Sequence, residues 1–128
     1  MSEEQFAVGD KVSAIYRTGK YIGEITEERP NAYLVRVLAC AKHPMQGDLH
    51  HPKQVDVALF HQRRALAFRE QMNVPKNMVR AYTSEIPDYK ESLQQSVESM
   101  KQKLSETQGD WNQRSLQNIE ELEKDYFK

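Results

Sequence analysis

The side chains with the widest chemical repertoire lie together in residues 40–51, which read CAKHPMQGDLHH. This segment holds the single cysteine, Cys40, followed by His43 and by the adjacent pair His50 and His51. Zinc takes four thiolate, imidazole or carboxylate ligands in tetrahedral geometry, and Cys40-x-x-His43 has acceptable spacing for half of such a site. Neighbouring residues of an extended chain point in opposite directions, so only one histidine of the pair could join them. We therefore favour histidines that brace a loop over histidines that bind a metal.

Nucleophilic catalysis by Cys40 is not predicted either. A reactive thiol needs a pKa lowered by a cationic neighbour or a helix N-terminus, whereas burial within a strand has the opposite effect. The sequence also contains no glycine-rich phosphate loop, no zincin motif and no catalytic-triad motif. We predict no catalytic residue, no bound metal and no cofactor.

The same segment is better suited to protein recognition. Residues 43–57 show no regular period, and Pro44, Gly47 and Pro52 restrict their conformation. Long irregular loops are uncommon inside small domains and are often functional. We predict a partner-binding loop formed by His43, Gln46, Asp48, His50, His51 and Lys53.

The elements that position this loop are predicted from hydrophobic alternation. Residues 11–25 alternate as two strands, and Thr18-Gly19-Lys20 between them forms a turn in which Gly19 can take a positive φ. Residues 32–43 alternate as a third strand. Its predicted faces are Tyr33, Val35, Val37 and Ala39 on one side and Leu34, Arg36, Leu38 and Cys40 on the other.

Two more strands are predicted after the loop, which makes five. Residues 64–74 resume alternation, a tight turn follows at Val74-Pro75-Lys76-Asn77, and residues 78–82 form a short last strand. This order of strands, long loop and tight turn resembles SH3 domains. We predict an α+β protein whose first domain, residues 1–82, is an SH3-like five-stranded β-barrel.

Residues 83–128 change to the helical period and predict an antiparallel αα-hairpin. Pro87 and Asp88 start the first helix, Gly109 ends it, and Asp110 caps the second. The apolar stripes are Tyr89, Leu93, Val97, Met100 and Leu104 on the first helix and Trp111, Ser115 or Leu116, Ile119, Leu122 and Tyr126 on the second. Two helices alone bury too little surface, so the hairpin must pack on the barrel, on a second copy in a homodimer, or on a partner.

Charge and composition argue against a nucleic-acid partner and against insertion into a membrane. The net charge is −1, with a small positive excess before residue 83 and a negative excess after it, so a nucleic-acid partner is not expected. No apolar run is long enough to cross a membrane, and a single cysteine fits a cytoplasmic setting. Glu3 and Glu4 stand where a secretory leader would be positive, so we expect neither membrane insertion nor a lipid anchor at Cys40.

Several segments resemble the kinase-associated protein B (KapB) family of spore-forming bacilli. The resemblance rests on TGKYIGEI, HPMQGDLHHPKQVDV, FHQRRALAFREQMNVPKNMV and EIPDY, and it covers nearly the whole chain. It implies a non-enzymatic accessory protein that binds and activates a membrane-bound sensor histidine kinase feeding the sporulation phosphorelay. Such a protein is cytoplasmic, with any association to the membrane made through the kinase.

The alternative function is an SH3- or Tudor-like module that binds a peptide or a nucleic acid. Such modules use exposed aromatic side chains, whereas small barrels also use aromatic residues to fill their cores. We favour the second use for the aromatic residues of the barrel, which are Tyr16, Tyr21, Tyr33, Phe60, Phe68 and Tyr82.

Overall fold

Five strands and two long helices make up most of the computed structural model, which describes residues 5–47 and 62–127. The elements are β1 (Lys11–Tyr16), β2 (Gly19–Glu28), β3 (Ala32–Lys42), β4 (Gln71–Pro75), a 3₁₀ turn (Lys76–Met78), β5 (Val79–Ala81), α1 (Tyr89–Glu106) and α2 (Asp110–Tyr126). None of the helices in these residues is both long enough and apolar enough to cross a membrane. The predicted α+β class, with a sheet followed by a helical hairpin, is confirmed.

The strands form one antiparallel sheet in the order β4-β3-β2-β1-β5. The 3₁₀ turn lies where the Val-Pro-Lys-Asn segment predicted a tight turn, directly before the last strand. Within the described ranges no ladder joins β4 to β5, so the sheet curls without closing into a full barrel.

The first hairpin turn differs from its prediction by two residues. Tyr16 pairs with Gly19, so the loop consists of Arg17 and Thr18, and it is Arg17 that takes the positive φ, +56°. Gly19 already belongs to β2, where a Cβ would lie 2.8 Å from the hydroxyl oxygen of Tyr21. Glycine is therefore needed here for the close approach of a ring and not for the turn itself.

The predicted face of Cys40 is wrong because β3 contains a bulge. Val37 pairs with Gly23 and Ala39 with Ile22, so Leu38 is an extra residue opposite a single step of β2. An extra residue reverses the alternation beyond it. Cys40 consequently pairs with Tyr21 and joins Val37 in the core, not the half-buried face of Leu38.

The fourth strand is shorter than the alternation of residues 64–74 predicted. A tight turn at 67–70 precedes it: the Glu70 amide donates to the Ala67 carbonyl, and the Ala67 amide donates to the Glu70 carboxylate. Arg69 has a φ of +72° inside this turn. The start of the predicted strand, residues 64–66, lies outside the sheet, and β4 begins only at Gln71.

The start of the first helix follows the prediction, whereas its end, predicted at Gly109, and the cap of the second helix, predicted at Asp110, do not. Asp88 caps α1, and its carboxylate accepts a hydrogen bond from the Glu91 amide. The N-cap of α2 is Gly109, so Asp110 lies one residue inside the helix, where its negative charge still favours the helix N-terminus. Thr107 is the C-cap of α1.

Both predicted apolar stripes face the interior. Leu93, Val97, Met100 and Leu104 are buried on α1, and Ser115, Ile119 and Leu122 are buried on α2. Side chains of the sheet and of both helices form one hydrophobic cluster, in which burial of each large apolar side chain stabilises the fold by about 1.5–3 kcal/mol. The hairpin therefore packs on the sheet of its own chain. The division into domains 1–82 and 83–128 stays a prediction, although the two parts share this core.

Candidate functional site

The structure describes part of the segment that was considered for chemistry and predicted to bind a partner. Cys40, His43 and Gln46 are described and are all buried. Asp48, His50, His51 and Lys53, with most of the predicted loop, lie outside the described residues.

His43 is buried completely and uses both of its ring nitrogens. Nδ1 lies 3.0 Å from the Pro44 carbonyl oxygen, to which it can only donate. Nε2 is then the unprotonated nitrogen, and it accepts a hydrogen bond of 2.9 Å from the Tyr126 hydroxyl. Burial lowers the pKa of His43, because removal from water disfavours the charged imidazolium. The histidine is thus a neutral link between the end of β3 and the last turn of α2.

Tyr126 continues this connection to the chain that returns from the loop. Its hydroxyl oxygen accepts a hydrogen bond of 2.9 Å from the Ala65 amide while its proton is donated to His43. One hydroxyl therefore joins α2, residue 43 and the segment 62–66, which we call the return segment.

Gln46 fixes the return segment at Arg63, two residues before Ala65. Its carboxamide oxygen accepts from the Arg63 amide at 2.8 Å, and its amide nitrogen donates to the Arg63 carbonyl at 2.9 Å. The Arg63 side chain donates in return to the Gly47 carbonyl at 2.9 Å. This exchange resembles one rung of a sheet, with a side-chain carboxamide in place of a backbone.

Two tyrosines complete the attachment at Leu66. The Tyr89 hydroxyl donates to the Leu66 carbonyl, and the Tyr21 hydroxyl accepts from the Leu66 amide at 3.3 Å. We call His43, Gln46, Tyr126, Tyr89 and Tyr21 the loop clamp, because their side chains hold both ends of residues 44–65. A return segment outside the sheet has polar backbone groups that would otherwise be costly to bury.

The thiol of Cys40 is buried beside α1. Burial raises the pKa of Cys40, although a hydrogen bond with Ser96 opposes this effect, so the reactive thiolate is disfavoured. The Cys40 amide donates to the Ser92 hydroxyl at 3.0 Å. In residues 5–47 and 62–127 no three His, Cys, Asp or Glu side chains are placed to hold a metal ion.

The aromatic residues of the sheet do not converge on a single cage in the part of the chain that is described. Tyr21 and Tyr33 are buried, and Phe6 packs edge-on against Tyr33. Phe68 is exposed and lies against Tyr89, the first residue of α1, and not against Tyr21 or Tyr33. Tyr21 and Tyr33 fill the core, which agrees with the use favoured from sequence, whereas Phe68 does not and Phe60 lies outside the described residues.

Sequence reasoning missed the polar roles of the clamp tyrosines. Tyr89 and Tyr126 are the terminal members of the predicted helical stripes, where periodicity assigns them only apolar contact. A buried tyrosine hydroxyl needs a hydrogen-bond partner, so a tyrosine at the end of a buried stripe is a sequence signal for a polar neighbour that periodicity alone overlooks. No pattern in the sequence could show that the partners are residues 43, 65 and 66.

The fold and the site define a class: a small α+β protein in which buried polar side chains join the end of β3 to the return segment and to α2. The profile of the family described as kinase associated protein B matches residues 16–127. The chain is 54% identical over 122 residues to "Kinase-associated lipoprotein B" of Bacillus subtilis (strain 168), with 95% of each protein covered. It is also similar to the crystal structure of kinase-associated protein B from Bacillus cereus, with 46% identity, a TM-score of 0.82, and coverage of 95% of this chain and 98% of that one. The chain belongs to the kinase-associated protein B family.

Proposed function

We propose that the chain is a non-catalytic accessory protein that binds a membrane-bound sensor histidine kinase and activates it, feeding the sporulation phosphorelay. Membership of a family named for its association with a kinase carries the proposal. The proposed location is the cytoplasmic side of the membrane, reached through the kinase.

The chemistry of the buried polar groups supports a role without catalysis. A general base needs a free nitrogen facing a substrate, whereas both nitrogens of His43 are engaged inside the protein. The Cys40 thiol is 2% exposed and favours its protonated form. Of the side chains considered for chemistry, His43 instead joins the end of β3 to α2, and Cys40 packs beside α1.

The loop clamp supports the loop as the contact surface. Since His43 and Gln46 point inward, direct contact with the partner falls to Asp48, His50, His51 and Lys53, as the sequence predicts. Fixing both ends of a loop lowers the conformational entropy that is lost when a partner orders it. His43 and Gln46 contribute in this proposal by holding the loop.

Activation requires a difference in affinity between two states of the kinase. A protein that binds both conformations equally shifts nothing, and each tenfold preference for the active conformation shifts the equilibrium by about 1.4 kcal/mol. The predicted homodimer through the hairpin would have to use the outer faces of the helices, because Leu93, Val97 and Ile119 are covered within one chain.

The test is affinity capture of the cytoplasmic part of the kinase by the full chain. Replacing His50 and His51 together by alanine should weaken capture at least tenfold while the unfolding midpoint stays unchanged. The matched control replaces Gln94 and Gln102, two polar residues on the outer face of α1, by alanine and should leave capture unchanged. Equal capture by the histidine variant would contradict the loop assignment, and loss only in the control would move docking to the hairpin.

The oligomeric state is tested separately by light scattering during size exclusion. A mass near 14.9 kDa corresponds to one chain. A mass twice as large for the unchanged chain, together with the mass of one chain for the variant with Gln94 and Gln102 replaced, would support the homodimer through the hairpin.

A further inference from the structure

A small cleft opens beside the loop clamp, between the β1–β2 turn and the return segment. Its volume is about 180 Å³. Three arginines line it, Arg17 from the turn and Arg63 and Arg64 from the return segment, together with the ring of Tyr21. Three arginines lining one small cleft suit an anion, since each guanidinium offers several N–H donors in a fixed planar arrangement.

The three arginines are held in place by contacts that leave donors available. The Arg17 guanidinium lies 5.3 Å from the centre of the Tyr16 ring, and that of Arg64 lies 4.9 Å from the centre of the Tyr126 ring. Arg63 uses its Nε to donate to Gly47, and its two terminal nitrogens are not engaged in that bond. Side chains that are already held lose less entropy on binding a ligand.

The charge around the cleft matches a group with two negative charges. Asp125 pairs with Arg64 at 2.6 Å and offsets one of the three positive charges. Neither Arg17 nor Arg63 forms an ion pair with a carboxylate among residues 5–47 and 62–127. A phosphomonoester carries about −1.5 to −2 at pH 7, whereas a carboxylate carries one charge and would leave an excess.

Tyr21 supplies a buried donor to the same cleft. It is 1% exposed, and its oxygen accepts from the Leu66 amide, which leaves the hydroxyl proton for another acceptor. Burial raises the pKa of Tyr21, so the hydroxyl stays protonated. Gly19 keeps space for this group, since any Cβ at that position would crowd the hydroxyl.

We propose that this cleft binds the phosphoryl group of a phosphorylated side chain on a partner protein. The inference deepens the proposed function and rests on it for the identity of the partner. Nucleotides carry the same phosphoryl chemistry, but sites for molecules of that size occupy about 300–1,000 Å³, which exceeds this cleft. A single phosphoryl group on a protein surface fits the available volume.

The experiment titrates the full chain by NMR with four probes at constant ionic strength: inorganic phosphate, ATP, a phosphoserine pentapeptide and its unphosphorylated form. The phosphopeptide should saturate one site and bind at least tenfold more tightly than the unphosphorylated peptide. Arg17→Gln and Arg63→Gln should each weaken it about tenfold. Arg69→Gln is the matched control, because Arg69 is exposed, also has a positive φ and lies outside the cleft, and it should change binding less than twofold.

Equal weakening by Arg69→Gln, or no saturable binding of the phosphopeptide, would overturn the inference. Tighter binding of ATP than of the phosphopeptide would overturn it in favour of a nucleotide. Kinase capture separates this result from the proposed function. If the chain captures the kinase but shows no phosphopeptide binding, only the cleft inference fails; if it binds phosphopeptide but captures no kinase, the proposed function fails.

Discussion

The Tyr126 hydroxyl is the point at which the loop clamp can be tested by removing one atom. Tyr126→Phe keeps the ring, which packs against His43 and Phe127 and lies below the Arg64 guanidinium. It removes only the oxygen that accepts from the Ala65 amide and donates to His43 Nε2. The packing of the apolar part is preserved, so the change isolates two hydrogen bonds.

The expected loss of stability follows from the burial of the two groups that lose their hydrogen-bond partner, His43 Nε2 and the Ala65 amide. His43 is fully buried and Ala65 is 6% exposed, so water has little access to either after the oxygen is gone. Leaving one buried donor or acceptor unsatisfied costs about 1–3 kcal/mol. We expect Tyr126→Phe to lower the free energy of unfolding by about 2–4 kcal/mol, a large share of the 5–15 kcal/mol typical of folded domains.

The assay is equilibrium unfolding in urea at pH 7.5, where His43 is neutral. The matched control is Tyr82→Phe, which removes an exposed hydroxyl that donates to the Glu85 carbonyl at 2.8 Å. Substitutions at exposed positions usually change stability by less than about 0.5 kcal/mol. In the background of His43→Leu, the cost of Tyr126→Phe should fall by about 1 kcal/mol or more, because one of its two partners has already been removed. A loss below about 0.5 kcal/mol, or equal costs in both backgrounds, would refute the clamp.

Four further results are expected. Because the pKa of His43 is depressed in the folded state, the unfolded chain binds more protons than the folded chain below about pH 6.5. The free energy of unfolding should therefore decrease as the pH is lowered, by at most about 1.4 kcal/mol per pH unit. This part of the slope should vanish in His43→Leu, as urea unfolding between pH 7.5 and 5.5 would show. Asp88→Ala should cost about 1 kcal/mol through loss of the α1 cap, with Asp88→Asn retaining most of it. Gly19→Ala should destabilise by about 1–3 kcal/mol because its Cβ meets the Tyr21 ring, and a neutral effect in thermal unfolding would contradict the close approach. The Cys40 thiol should react with a maleimide only after unfolding, and Cys40→Ala should leave cellular distribution unchanged; release of the variant from a membrane would contradict the structural role.

Much of the framework follows from local patterns in the sequence. The 3₁₀ turn before the last strand, the Asp88 cap and the buried stripe of α1 were all predicted from residues that lie within a few positions of one another. Such features depend on backbone preference and on the period of apolar residues, which are local quantities. The resemblance to the kinase-associated protein B family likewise came from short segments of sequence and is confirmed.

The errors in the sheet share a physical cause. Leu38 bulges out of β3, Arg17 takes the turn conformation that Gly19 was expected to take, and Arg69 turns a predicted strand away from the sheet. Each depends on which residue of a neighbouring strand lies opposite, and register of this kind is fixed by pairing across the sheet. The alternation of apolar residues within a single strand does not show a one-residue change in how that strand pairs with its neighbour.

The class of elements, their order, the apolar faces of the helices and the family all follow from patterns in the sequence. The roles of the polar residues depend instead on contacts between distant parts of the chain. His43 meets Tyr126 across 83 positions of chain, and Tyr21 meets the return segment across 45. Hydrogen bonds need their partners within about 3 Å, and here that condition is met by the way the helical hairpin and the return segment pack around the sheet.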